Sequence, residues 1–419
     1  MRIHVVGIGA VGNFVAFHLR RSLHPKHSVI ALHRTNTAKA LQEAPHGGSL
    51  IVERDGIPVV QDGVVHQPYG EPRDRSRKSD FAPLAVTAFD DPAVRESLGY
   101  IDSLVVTTKA YAVTSVMTAL RDNLSRNSTI VLLNNGMGVY EKLIEEVYPE
   151  PHDRPNFVLC SNTHGLYSTG FLHTVHAGLG QIRLGIVPDS LGRDYEASYS
   201  AARGAVSATK LNLNDIADVA AGGVSNLRYL NLRNTIAALT NAPGLRASWE
   251  PFYDVQVAMR SKLVVNAFIN PVSALLQCKN GEVLQNEHGR RIATGICYEA
   301  EDVFKLQWED ETKQQAVAYR QEHGVAPELS PYPRALKARV LRQEIDRVVE
   351  ATKNNYSSMC IDVKLGRPTE VDFLNGYIRD VGRRYKYRPF MNNSLRHLIR
   401  LRGSIPLAPQ PIPPLSGKS

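Results

Sequence analysis

A chain of 419 residues, 43% hydrophobic and 21% charged, is long enough for two or three folding units and a sizeable buried core. Its formal net charge of +8 is modest for that length: it suits an anionic cofactor or an acidic substrate without invoking nucleic acid. No apolar run approaches the roughly 20 residues of a membrane span, and four scattered cysteines without a C-x-x-C pair argue against a disulfide framework or a zinc knuckle. Cys160, Cys278, Cys297 and Cys360 read as buried apolar fillers. The first strand candidate begins at Arg2, leaving no room for a leader peptide, so a cytoplasmic protein is expected, with a mitochondrial location through an internal signal left open.

Ile3, His4, Val5 and Val6 read as a short buried strand, and residues 13–21 carry apolar side chains at helical spacing. Between them stands GIGAVG, residues 7 to 12. The pattern alone is weak, but a strand before it and a helix after it make it a dinucleotide turn. Gly7 allows the tight turn, Gly9 the close approach of backbone to a pyrophosphate, and Gly12 the packing of helix on strand. The helix N-terminus adds free N–H groups and a partial positive charge.

The next strand, residues 28–34, should end beside the adenine ribose. An NAD site wants an acid about 20 residues beyond the glycines, yet residues 28–42 contain none. The strand ends instead in His33 and Arg34, and a guanidinium matches the 2′-phosphate of NADP. The alternative is a solvated Arg34 and NAD.

Further strand candidates follow at 101–110, 128–136, 156–167 and 174–185, alternating with helical patterns, which argues a parallel sheet with helices on both faces. His176 in the last of these stands close to His173 just before it, but no further ligand is near them, so no metal site is expected. Residues 67–83, charged and rich in turn formers, read as a surface insertion. After Trp249 the pattern becomes helical, with candidates at 253–276, 289–307, 334–354 and 371–385. The expected organisation is an α/β Rossmann-type domain over 1–248, an all-α domain over 249–403, and a disordered proline-rich tail over 404–419. Residues 383–402 hold seven Arg or Lys, two tyrosines and no acid, either a solvated helix face or a phosphate-binding surface for RNA or membrane.

The helix over 260–277 confines its polarity narrowly. Lys262, Asn266 and Asn270 recur every four residues and line one stripe, while the rest of the surface is apolar. Buried amides without partners cost about 1–3 kcal/mol each, so the stripe should face a polar cleft or a matched hydrogen-bond network between helices. A lysine bordering such a cleft can act as a general acid if partial burial brings its pKa toward neutrality. The segment SSMCIDVKLGRPTEVDFLNG, residues 357–376, offers Glu370 as an orienting partner, and Ser357 and Ser358 as donors to a carboxylate.

GIGAVG, KLVVNAFINPVSALLQCKNGEV and SSMCIDVKLGRPTEVDFLNGYI, in this order, closely resemble the ketopantoate reductases, over nearly the whole chain apart from the insertions and tail. The resemblance is to a eukaryotic, fungal-like member. It implies a Rossmann-type domain with a helical C-terminal domain like that of 6-phosphogluconate dehydrogenase, NADPH as cofactor, and reduction of 2-dehydropantoate to (R)-pantoate in pantothenate and coenzyme A synthesis. It implies Lys262 and Glu370 as the catalytic pair, and Asn266, Asn270, Asn280 and Ser358 as substrate ligands. On the cofactor side it implies Gly7, Gly9, Ala10, Val11 and Gly12 with Arg34, Lys109 and Asn135. The partner implied is a small 2-oxo acid, with no metal, and a homodimer is allowed.

Asn134 stands where the family commonly has Gln, and residues 67–83, 307–333 and the basic tail are additions to the compact pattern. They keep two alternatives open: a reductase of another branched 2-oxo acid, or a non-catalytic binding protein that uses the basic C-terminal surface.

Overall fold

In a computed structural model, the residues described are 1–34, 41, 46–69, 99–201, 211–217, 226–323 and 331–405. An eight-stranded sheet has the order β12-β11-β8-β7-β6-β1-β2-β5. Its strands are β1 (Arg2–Val6), β2 (Ser28–His33), β5 (Val64–Pro68), β6 (Ser103–Val106), β7 (Thr129–Leu132), β8 (Asn156–Asn162), β11 (Ile182–Ile186) and β12 (Ala247–Trp249). From β5 through β8 all neighbours are parallel, and β11 turns antiparallel to β8. Numbered within that parallel part, the order is the doubly wound 3-2-1-4-5-6, which reverses direction between β1 and β6. Val5, Val6, Val105, Val106, Ile130 and Val131 are fully buried, as expected of parallel strands covered on both faces.

A second sheet has the order β4-β3-β10-β9, with β3 (Leu50–Arg54), β4 (Ile57–Gln61), β9 (Gly165–Gly170) and β10 (His173–Gly178). Helix α1 (Ala10–Ser22) contacts strands of both sheets, so Phe14, Val15, Ala16, Phe17 and Leu19 are all buried. Asn13 is buried too, and its amide donates to Ile51 O at 2.9 Å and to Thr174 Oγ1 at 3.0 Å. The second sheet thereby braces the N-terminal end of α1. Helices α2 (Ala110–Ala119), α3 (Val139–Glu146) and α4 (Leu227–Thr240) complete the first unit's longer helices.

The chain divides into Met1–Met259 and Arg260–Ser419. The division falls inside helix α5 (Phe252–Leu276), not before it at residue 249, because the helix runs on across the change in packing. The second unit is all-α among its described residues. It holds most of α5, then α6 (Glu287–His323), α7 (Ala338–Ala351), α8 (Ser358–Lys364), α9 (Asn375–Arg384) and α10 (Phe390–Ser404). In α7 the buried residues Ala338, Leu341, Ile345 and Val349 recur at three and four, the stripe that fastens an amphipathic helix to a core.

Several expectations change. Residues 156–167 and 174–185 are not single strands: each region splits between the two sheets, at the turns 163–164 and 179–181. Gln67 and Pro68 belong to edge strand β5 instead of an insertion, while residues 70–83 lie outside the described residues. The region after Gln307 continues α6 to His323, and only residues 324–330 of that addition lie outside the described residues. The basic run 383–402 is partly consumed internally. Arg396 is buried and its Nε donates to Asp372 at 2.6 Å, Arg400 joins the same carboxylate at 2.9 Å, and the Tyr385 and Tyr387 hydroxyls donate to Asp310 and Asp302. Of the tail, Ser404 ends α10 and residues 406–419 lie outside the described residues. Cys160, Cys297 and Cys360 are buried and all four thiols are free.

Candidate active site

The carboxyl ends of four parallel strands deliver every expected cofactor residue of the first unit. β1 runs into Gly7, β2 into Arg34, β6 into Lys109 and β7 into Asn135. This is the edge where open α/β sheets bind ligands, and the order reversal lies between β1 and β6. Gly7 takes φ +92°, and a Cβ there would stand 2.5 Å from Thr108 N. A Cβ on Gly12 would stand 2.4 Å from Gly7 O and 2.6 Å from Thr107 Oγ1. These two glycines are therefore fixed by the protein's own packing, sealed by Thr107, whose hydroxyl donates to Gly7 O at 2.7 Å.

Gly9, the N-cap of α1, differs: a Cβ there would meet nothing within 4 Å, so its backbone borders space that a phosphate can enter. Ala10 and Val11 open the helix behind it, and among the described residues α1 has no acid in its first turn. Arg34 is half-buried just past β2, with Nη2 3.4 Å from Ser115 Oγ. Lys109 caps the start of α2, and Asn135 is half-buried in the turn after β7. Beside it Asn134 donates its amide to Thr108 O, which ties the β6 and β7 ends together. These groups fit an NADP-type dinucleotide: open backbone N–H groups for the pyrophosphate, a guanidinium for the 2′-phosphate, and, in the sequence from 28 to 42, no carboxylate following β2.

In the second unit, α5 presents Lys262, Asn266 and Asn270 as half-buried residues, while Leu263, Val264, Val265, Ala267, Phe268 and Ile269 are buried. The helix thus has the one polar stripe expected of it. Burial brings the Lys262 ammonium down to about 8, against an opposing pull from the Glu370 carboxylate. Glu370 is 6% exposed and caps the short turn Val371–Phe373, so the expected pair does meet electrostatically. A lysine in this state is protonated at neutral pH yet able to give up its proton.

The two serines separate. Ser357 is the N-cap of α8, accepts a bond from Cys360 N at 3.0 Å, and lies 2.7 Å from Ser273 Oγ of α5. Its hydroxyl is spent on structure, and Ser358 is the exposed one. The Ser273 contact nevertheless fastens the turn bearing Ser358 to the helix bearing the asparagine stripe. Asn280 is 7% exposed, with its amide donating to Thr352 Oγ1 at 3.1 Å, so that half of its side chain holds α7.

One residue escaped sequence reasoning. Pro271 sits inside α5 and has no N–H, so the carbonyl four residues earlier, Ala267 O, lacks its helical donor. Asn375, fully buried at the start of α9, fills that place: its Nδ2 donates to Ala267 O at 2.8 Å and to Asn392 Oδ1 at 3.1 Å. Asn392 in turn donates from its N and Nδ2 to Glu299. The lock joins the stripe at Asn266 and Asn270 to the segment that follows Glu370. A proline within an apolar helix signals that some outside donor is needed, but not which one.

Comparison with known proteins decides what this pairing of sites belongs to. Residues 3–189 match the family model described as ketopantoate reductase PanE/ApbA, and residues 254–402 match that family's C-terminal model. The chain belongs to the ketopantoate reductase family. A probable 2-dehydropantoate 2-reductase of Schizosaccharomyces pombe is 25% identical over 306 residues, 72% of this chain and 74% of the relative. A 2-dehydropantoate 2-reductase of Vibrio cholerae is 27% identical over 305 residues, covering 73% and 79%. The solved 2-dehydropantoate 2-reductase of Geobacter metallireducens shares the fold with a TM-score of 0.62 at 18% identity, covering 96% of this chain and 99% of that one. This ketopantoate reductase is an oxidoreductase that uses NADP(H). Among the described residues, no group of three or more His, Cys, Asp or Glu could hold a metal, and no helix is long and apolar enough to cross a membrane.

Proposed function

We propose that this chain reduces 2-dehydropantoate to (R)-pantoate with NADPH, as a cytoplasmic, fungal-like member of its family. The observation that carries the residue roles is the half-buried Lys262, lowered to about 8 and opposed by Glu370, at the head of the stripe formed with Asn266 and Asn270. The chemistry supplied by bound NADPH is a hydride for the carbonyl carbon. Lys262 gives its ammonium proton to the ketone oxygen, so that carbonyl becomes alcohol, and regains a proton from solvent. Glu370 keeps the lysine charged until then. Asn266, Asn270 and Asn280 bind and orient the substrate, and the exposed Ser358 hydroxyl donates to its carboxylate. The additions within residues 67–83 and 307–333 support the fungal-like reading, and imaging a fluorescent fusion in the native cell tests the location.

The experiment is NADPH oxidation by purified protein with 2-dehydropantoate, alongside NADH and other branched 2-oxo acids. Turnover fastest with 2-dehydropantoate and NADPH is the expected result. Faster turnover with another acid would reassign the substrate, and NADPH binding without turnover on any acid would overturn the enzymatic reading. For the cofactor, Arg34→Ala should weaken NADPH by about tenfold or more and leave NADH nearly unchanged, since only the 2′-phosphate loses a charged partner. Equal weakening of both would remove Arg34 from that role.

A further inference from the structure

A cavity of about 870 Å³ opens on the first unit at the far end of α1. Arg21 lies nine residues beyond Gly12 on that helix, about 14 Å along its axis at 1.5 Å per residue. The cavity is therefore distinct from the glycine turn. Its lining brings together Arg21 of α1, Arg54 at the end of β3 and Arg246 just before β12, and includes, among the described residues, no Asp or Glu. Arg54 also meets the adjacent Asp55 at 3.4 Å, but both are exposed and such a pair neutralises little. The same lining includes Ile57, Val59 and Leu179, apolar side chains 67%, 38% and 55% exposed.

Arg246 is held by a built framework. Arg246 takes φ +45°, uncommon for a residue with a side chain, at the end of the turn Pro243–Leu245. That turn is clamped from two sides. A Cβ on Gly244 would stand 2.0 Å from His18 Nδ1, so backbone lies directly on the His18 ring. His164 Nε2 lies 3.0 Å from Leu245 O, and its Nδ1 accepts from Gly180 N at 3.2 Å, which makes Nε2 the donor to Leu245. His176 Nε2, at 3.0 Å, is then the donor to the same Nδ1. Burial, then His176, His164 and Arg21, bring His18 down to about 4, so it is neutral and adds no charge of its own at pH 7. Phe14 packs against all three rings, with centroids 4.5 to 4.9 Å away.

Three guanidiniums lining one cavity with no carboxylate among its described lining residues leave positive charge uncompensated there, and apolar side chains facing water are unfavourable; one ligand relieves both. A phosphomonoester carries a charge of about −1.5 to −2 at neutral pH and three acceptor oxygens, which forked guanidiniums match. We propose that this cavity binds a small organic phosphate, its head held by Arg21, Arg54 and Arg246 and its apolar body lying on Ile57, Val59 and Leu179. The volume lies within the range of small-molecule sites.

The test uses the full chain with saturating NADP+, so that the glycine turn and Arg34 are occupied, and titrates phenyl phosphate by calorimetry. Saturable, salt-sensitive binding is expected, about tenfold tighter than inorganic phosphate, with benzyl alcohol failing to bind. The double variant Arg21→Gln/Arg246→Asn should weaken phenyl phosphate by about tenfold or more while KM for NADPH and turnover stay unchanged; asparagine at 246 tolerates the left-handed backbone. Should that variant lose its cooperative melt, Arg54→Gln makes the same comparison. Absence of saturable binding up to about 10 mM, roughly the weakest affinity a specific site would show, overturns the proposal. So does binding that survives the arginine substitutions, or that is lost instead with Arg34→Gln.

Discussion

Replacing Lys262 with alanine should lower turnover by about 10²-fold or more and leave NADPH binding intact, because the change removes a proton donor and no group of the first unit. The pH dependence gives the sharper reading. The donor form is the ammonium, and burial places its loss near pH 8, so turnover in the reducing direction should be flat at neutral pH and fall as pH rises through about 8. Glu370 opposes the lowering, so Glu370→Gln should carry the alkaline limb to lower pH. Steady-state rates across the pH range check both. A limb that stayed in place in Glu370→Gln would mean that the carboxylate does not govern the lysine, and undiminished turnover in Lys262→Ala would end the acid role altogether.

The lock at Pro271 predicts the largest effect on stability away from the reacting groups. Asn375→Ala should destabilise the helical unit by about 2–4 kcal/mol, since it empties a fully buried site and leaves Ala267 O and Asn392 Oδ1 without their donor. Adding Pro271→Ala gives the helix back an N–H four residues beyond Ala267, so the double variant should recover about 1 kcal/mol of that loss. Denaturant unfolding of the single and double variants completes the cycle. Additive effects would show that the asparagine amide does not substitute for the missing backbone donor.

What could be read in advance was what short-range geometry dictates. GIGAVG between a strand and a helix, an arginine in place of an acid after β2, and a polar stripe at every fourth residue of α5 all lie within a few turns of chain. Their partners do not. Thr107 and Thr108, which close over Gly7, stand a hundred residues away, and nothing in their own neighbourhood marks them. The second sheet was missed for a different reason. Its β3–β4 hairpin turns at Asp55 and Gly56, both with positive φ, a dipeptide that signals such a turn, but the exposed β4 lacks an alternating buried face. Helix α6 outran its expected end because its later turns are polar nearly all round, and the apolar period fades before the helix does. Ser357 and Ser358 were indistinguishable as a pair of hydroxyls. Only the start of α8 shows that the first is a cap and the second is free to face outward.

The three glycines of the first turn are not equivalent as information. At Gly7 and Gly12 the chain's own atoms forbid any larger residue, and a protein that had never met a nucleotide would still need them to fold this way. At Gly9 no atom of the described residues stands within 4 Å of where a side chain would begin. Of the three, that glycine is the one the chain's own packing leaves open, and a bare backbone with free N–H groups at a helix N-terminus is what an anionic ligand can approach closely.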